Sequence, residues 1–147
     1  MFEIHKMRKE DIEEVAALEK AIFPDAWSAA ALEESLMQKQ TMMLTAFDDK
    51  KLIGYLILYY VLEEGEIARV AVEPEYRRQG VGARMLLEME NLCEDKGINK
   101  LLLDVRESNQ TAYSFYEDYG FVQDGIRKNY YTNPTEDAIL MSREIGR

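Results

Sequence analysis

Val70-Ala71-Val72-Glu73-Pro74-Glu75-Tyr76-Arg77-Arg78-Gln79-Gly80-Val81-Gly82 is the stretch that decides how this chain folds. A β-branched run stops at a proline, a basic turn follows, and two glycines at alternate positions open a segment with a different period. Val81, Met85, Leu86, Met89 and Cys93 then recur at helical spacing, and Lys96-Gly97 supplies a helix stop. Glycine inside a helix costs about 1 kcal/mol, so two of them at one helix start need a reason. Glycines there let backbone N–H groups approach an anion at the positive end of the helix dipole. Arg77, Arg78 and Arg84 make this turn locally basic, and charges beyond roughly 8 Å are screened at physiological salt, so an anionic ligand is compatible with an acidic chain. The bland alternative is a capped helix with incidental glycines. A phosphate-binding P-loop would need Gly-Lys followed by Ser or Thr, and a dinucleotide turn would need three glycines and a later acid; neither pattern is complete.

Working outward, Phe2 to His5 reads as a strand, and Ile12, Val15, Ala16 and Leu18 share one helical face. Ser28 is placed to cap a short helix running to Leu36. Thr41 to Phe47 and Lys51 to Val61 are strand-rich runs around Asp48-Asp49-Lys50, and Glu63-Glu64-Gly65 is expected to turn into Glu66 to Val72, giving three antiparallel strands. Beyond the central helix, Lys100 to Val105 reads as a strand and Asn109 to Asp118 as a helix ending near Gly120. Phe121 to Ile126 and Ala138 to Glu144 close the chain as strands. The class is α/β, with a mixed central sheet of about six to seven strands flanked by about four helices.

With 147 residues, 47% hydrophobic and 31% charged, the chain is expected to form one globular domain over 1–147. The longest apolar stretch, Leu52 to Leu62, falls well short of the ~20 residues a membrane helix needs, and Met1 to Lys6 has no apolar core behind a basic start. A cytoplasmic protein with no membrane partner is the expectation. The net charge of −10 argues against nucleic acid, whose binding relies on Lys and Arg, and is consistent with a basic partner. Cys93 is the sole cysteine and lies on the apolar helix face, so it reads as a buried thiol, and no metal is expected. His5, the sole histidine, stands apart from every motif and is given no role.

The glycine-containing stretch resembles the acetyl-CoA motif of the GNAT superfamily of N-acetyltransferases. The resemblance implies the GNAT fold and acetyl-CoA as cosubstrate. Cofactor contacts then fall to the backbone of Val70, Ala71 and Val72, to Arg77, Arg78, Gln79, Gly80, Val81, Gly82 and Ala83, and to Asn109, which is also placed to cap its helix. A narrower resemblance covers almost the whole chain, to the bacterial enzymes that acetylate the N-terminal alanine of a small-subunit ribosomal protein. It rests on Leu103-Asp104-Val105-Arg106-Glu107-Ser108-Asn109, on Phe115-Tyr116-Glu117-Asp118-Tyr119-Gly120-Phe121, and on Gly125-Ile126-Arg127-Lys128-Asn129-Tyr130-Tyr131 with Glu136-Asp137-Ala138. Phe23-Pro24-Asp25-Ala26-Trp27-Ser28 is similar more loosely, with Ala26 where the family has proline.

By that resemblance Tyr116 is the proton donor to the departing thiolate, and Asp104 stands where the family carries a glutamate taken to be the general base. Aspartate is one methylene shorter, so it acts directly or through a water. Glu66 is a second candidate base and Glu64 a third, each with the alternative of a solvated surface charge. Trp27, Tyr130 and Tyr131 are candidates for lining the peptide site. The implied partner is a basic protein N-terminus, that of a small-subunit ribosomal protein. Acetylation of a small-molecule amine or a lysine, or cofactor binding without turnover, are the alternatives. An α-amine of pKa about 7.7 to 8.0 costs about 1 kcal/mol to deprotonate at pH 7, whereas lysine at about 10.4 costs nearly 5, so a weak base suffices for an N-terminus.

Overall fold

The computed structural model describes residues 2–146. Seven strands form one sheet in the order β1-β2-β3-β4-β5-β7-β6. They are β1 (Glu3–Lys6), β2 (Thr41–Asp48), β3 (Lys51–Val61), β4 (Glu64–Val72), β5 (Lys100–Arg106), β6 (Val122–Tyr131) and β7 (Glu136–Glu144). All neighbours run antiparallel except β4 and β5, which are parallel. Four α-helices cover it: α1 (Ile12–Ile22), α2 (Ala29–Met37), α3 (Val81–Asp95) and α4 (Gln110–Asp118). The expected mixed α/β sheet and the three-strand antiparallel run are present.

The two faces of the sheet carry separate apolar cores. One gathers Leu56, Leu58, Ile67, Leu101, Leu103 and Val105 from the strands with Met85, Leu86, Met89 and Cys93 of α3 and Tyr116 of α4. The other gathers Tyr55, Ile57 and Ala71 with Val15 and Leu18 of α1 and Leu32 of α2. β3 is buried along most of its length because it faces both cores, which is why it reads as an unbroken apolar run instead of an alternating one. Ser28 caps α2, its Oγ accepting from the Ala31 N–H at 3.1 Å. Asn109 caps α4 in the same way through Ala112, also at 3.1 Å.

Several element boundaries differ from the sequence reading: β7 starts at Glu136 and not at Ala138, and α2, β2 and β5 each end one residue later, at Met37, Asp48 and Arg106. The β3–β4 turn is the tighter Leu62-Glu63, with Leu62 at φ 54°, so Glu64 and Gly65 already belong to β4. The first strand is shifted by one residue, to Glu3–Lys6. The sixth does not stop at Ile126 but runs to Tyr131 through irregular pairing in which four steps on β6, Arg127 to Tyr131, oppose two on β7. Asn129 takes φ 54° there and its N–H donates to Asp137 Oδ1 at 2.8 Å, which accommodates the extra residues.

Candidate active site

Two irregularities in β4 build the site. Leu58 pairs with Ile67 but Ile57 pairs with Arg69, so Ala68 is an extra residue, a bulge. A one-residue bulge exchanges the faces to which later side chains point. Ile67 accordingly packs with the α3 core, whereas Ala71 packs with the α1–α2 core and Val70 and Val72 replace it on the α3 side. The second irregularity is that β4 pairs with β5 only over Glu64–Glu66 and Lys100–Leu102, while β5 continues beside β7 to Arg106. Past the bulge, Val70, Ala71 and Val72 are therefore hydrogen-bonded to β3 alone, and a slot opens between β4 and β5.

The slot leads to the start of α3. Arg78 at φ 65° and Gly80 at φ 84° bend the chain into that helix, and a Cβ on Gly80 would meet nothing within 4 Å. Arg84 N–H donates back to Gly80 O at 3.0 Å, so the amides before it face outward, as at any helix N-terminus. Gly82 has a second reason for its size, because a Cβ there would lie 3.1 Å from the Phe115 ring of α4. The arginines are not equivalent either. Arg77 Nε donates to Val72 O at 3.1 Å and ties the turn to the end of β4, and Gln79 Nε2 donates to Glu75 O at 3.2 Å. Arg84 stacks on Phe2, while Arg78 makes no ion pair or hydrogen bond among the described residues. A free arginine, outward amides and an open strand edge fit a long ligand carrying a pyrophosphate.

Asp104 sits on β5 two residues past Leu102, the last to pair with β4, and Leu102 opposes Glu66. The Glu66 carboxyl is raised above the usual range, first by partial loss of water and then by the Asp104 charge, with Arg127 opposing. Tyr131 is pushed up to about 12, by burial first and then by Asp104 and Tyr130. Tyr116 is buried, its ring edge-on to Phe115 and Phe121 at 5.3 and 5.5 Å, and its acidity is suppressed by burial first and by Tyr131 second. Its hydroxyl has no protein hydrogen-bond partner among the described residues, so the phenol stays protonated at neutral pH with its proton unused. The Asp104 charge thus acts on both Glu66 and Tyr131, and Tyr131 in turn on Tyr116. Tyr130 is exposed and stacks edge-on to Tyr131 at 5.1 Å. Glu64 is exposed at the hairpin end of β4.

Several residues to which the sequence reading gives no individual role shape the walls. Glu19, wholly buried on α1, accepts from the Tyr55 hydroxyl, from the Trp27 N–H at 3.0 Å and from Arg69 Nε at 2.9 Å. The Arg69 guanidinium lies 4.0 Å from the Phe23 ring centre and 5.0 Å from that of Trp27. Opposite, Arg106 stacks on Tyr131 at 4.4 Å and donates to Glu136 at 3.1 Å, to Pro134 O and to Thr132 O. Glu136 also accepts from the Ser108 N–H at 2.6 Å, and these bonds hold its carboxyl below the usual range. No periodicity announces a pairing between residues fifty apart; the only signal for Glu19 and Arg69 is a charge at a position where the pattern demands an apolar side chain. Cys93 is buried and its thiol is pushed up to about 12, mainly by burial. His5 is exposed beside Glu3. Among the described residues no cluster of three or more His, Cys, Asp or Glu is arranged to hold a metal ion, and no helix is long and apolar enough to cross a membrane.

Comparison with known proteins adds an independent line. Residues 12–121 match the model of a family described as the acetyltransferase (GNAT) family. The chain is 40% identical over 98 residues to the [ribosomal protein bS18]-alanine N-acetyltransferase of Escherichia coli (strain K12), a match covering 65% of this chain and 66% of that protein. It superposes on the crystal structure of the ribosomal-protein-S18-alanine N-acetyltransferase from Escherichia coli with a TM-score of 0.91 at 30% identity, covering 100% of this chain and 96% of the other. The PaiA N-acetyltransferase of Thermoplasma acidophilum, solved in complex with coenzyme A, superposes with a TM-score of 0.83 at 25% identity over 99% of both chains.

Proposed function

The chain belongs to the GNAT family of acetyltransferases and is an acetyl-CoA-dependent N-acetyltransferase, and from that premise we propose that it acetylates the N-terminal alanine of a small-subunit ribosomal protein. The observation that carries the reading is the opening beside Val70–Val72, with Glu66 and Asp104 on the two strands that part there. The outward amides from Arg78 to Ala83, with Arg78 itself, hold the pyrophosphate; Asn109 adds the amide of its capped side chain. The free backbone edge of β4 lies along the acyl arm, and its N–H groups polarise the thioester carbonyl.

The amine attacks the thioester carbon directly. Glu66 or Asp104 takes its proton, directly or through a water, and Tyr116 gives its own to the departing thiolate sulfur. The C–S bond breaks as the C–N bond forms, and no acyl-enzyme intervenes. Trp27 on one side and Tyr130 and Tyr131 on the other flank the incoming peptide. A net charge of −10 suits a basic acceptor, and an α-amine suits a modest base. A ribosomal-protein acceptor means that the enzyme works in the cytoplasm.

The test is release of free CoA from acetyl-CoA with a short basic peptide beginning in Ala, beside the same peptide with its N-terminus acetylated and a panel of small amines. Turnover on the free N-terminus alone is expected. Turnover confined to small amines or to an internal lysine, or tight acetyl-CoA binding with no turnover, overturns the assignment.

A further inference from the structure

We propose that Glu19 is a positioning residue for the acceptor: through Arg69 and Trp27 it pins the α1–α2 loop, residues 23–28, against the bulge of β4 and so sets one wall of the peptide site. The inference rests on the N-terminal acceptor just described. Its physical basis is the placement of every hydrogen bond that the Glu19 carboxylate makes. One goes to the Trp27 backbone, one to Arg69 on β4 just past the extra residue Ala68, and one to Tyr55 on β3, which lies beneath both.

A buried ion pair is a poor device for stability, since desolvating two charges offsets most of their attraction. It is a good device for holding a geometry, because the rigid donor fork of a planar guanidinium leaves little freedom. Here the fork does more than meet a carboxylate. Arg69 also donates to Asp25 O at 3.1 Å and to Asp25 Oδ1 at 3.3 Å, and its flat face is covered by Phe23 and Trp27. Both ends of the loop are thereby attached to one guanidinium whose side chain is only 13% exposed. The bulge is what makes this possible: Ala68 and Ala71, on either side of Arg69, both pack against the α1–α2 core, which turns Arg69 toward Glu19. Without the extra residue Arg69 would face the α3 side of the sheet, away from Glu19.

Trp27 is the only tryptophan in the chain, so intrinsic fluorescence reports this loop directly. The experiment compares the parent with Glu19→Gln and Arg69→Lys. The first removes the charge from the carboxylate, and the second keeps the charge opposite Glu19 while losing the fork and the stack on two rings. Steady-state kinetics with acetyl-CoA and the Ala-initiated peptide are run beside emission spectra and melting curves. Each variant is expected to raise the peptide KM about tenfold while the acetyl-CoA KM stays within about twofold, as displacement of a positioning group by a fraction of an ångström does. Trp27 emission is expected to shift to the red without peptide present. Unchanged peptide KM and emission, or a rise of both KM values by the same factor, overturns the proposal. If Glu19→Gln does not fold, Arg69→Lys carries the test alone. Turnover by the parent reads the acceptor assignment; the variant-to-parent comparison and the emission, which needs no turnover, read the pin.

Discussion

The two sides of the proposed reaction centre are built from different materials. The acetyl-CoA side is backbone: an unpaired strand edge at Val70–Val72, a turn bent by positive φ at Arg78 and Gly80, and the outward amides of α3. The acceptor side is side chain: Glu19 with Arg69 under one wall, Arg106 with Glu136 under the other, the rings of Phe23 and Trp27 on Arg69, that of Tyr131 on Arg106 and that of Tyr130 on Arg127. A backbone site recognises what every donor shares, a pyrophosphate and an extended arm. A side-chain site can be re-cut residue by residue for a different amine. The difference assigns specificity to the acceptor walls and leaves the cofactor side generic.

The sharpest way to break that division is Tyr116→Phe, which touches the chemistry on neither wall. The ring stacks on Phe115 and Phe121 survive and no protein hydrogen bond is lost, so the melting temperature should hold. If Tyr116 donates the proton, kcat falls by about a hundredfold or more with both KM values near the parent's. An unchanged kcat in steady-state assays makes Tyr116 a core aromatic and nothing else.

Gly80→Ala is the next largest and falls wholly on the cofactor side. The position has room for a methyl group, but φ of 84° is strained for any L-residue, at about 1 to 2 kcal/mol. The acetyl-CoA KM should rise about tenfold by that energy, with the peptide KM and Trp27 emission unmoved. A parallel rise in the peptide KM would mean that the two sides are mechanically joined.

The same division separates what the sequence disclosed from what it concealed. Gly80 and the arginines around it are local, since backbone bent by neighbouring residues leaves its mark within a few positions, and the cofactor turn could be read from one short segment. Ser28 and Asn109 were equally legible, because a cap involves residues three apart. Glu19 and Arg69 lie fifty positions apart on a helix and a strand, and no period links them. The bulge at Ala68 was hidden for a related reason: it is a mismatch in length between β4 and β3, visible only once their register is known. The extension of β6 to Tyr131 was missed because Lys128 and Asn129 interrupt its alternation where the strand pairs irregularly. Tyr116 was picked out from three neighbouring aromatics only through resemblance; helical spacing alone places Phe115, Tyr116 and Tyr119 against the same core.

The smallest effect is the most informative about the acid–base pair, and it turns on sign. Glu66 is raised first by loss of water and then by the charge on Asp104, with Arg127 pulling it down. A base works only when ionised, so an acid limb of kcat/KM that belongs to Glu66 stands above the pH range of an ordinary glutamate. Asp104→Asn removes a neighbouring negative charge, makes ionisation of Glu66 easier, and should move the limb to lower pH. Arg127→Gln removes a positive charge and should move it to higher pH. Both shifts are read from rate profiles under saturating acetyl-CoA, and opposite directions in the two variants identify Glu66 as the titrating base with Asp104 as its electrostatic neighbour. If Asp104→Asn instead abolishes turnover at every pH while Arg127→Gln leaves the limb in place, the proton goes to Asp104. The shortened side chain at that position is then sufficient for an α-amine, whose proton is about 3.5 kcal/mol easier to remove at pH 7 than that of a lysine.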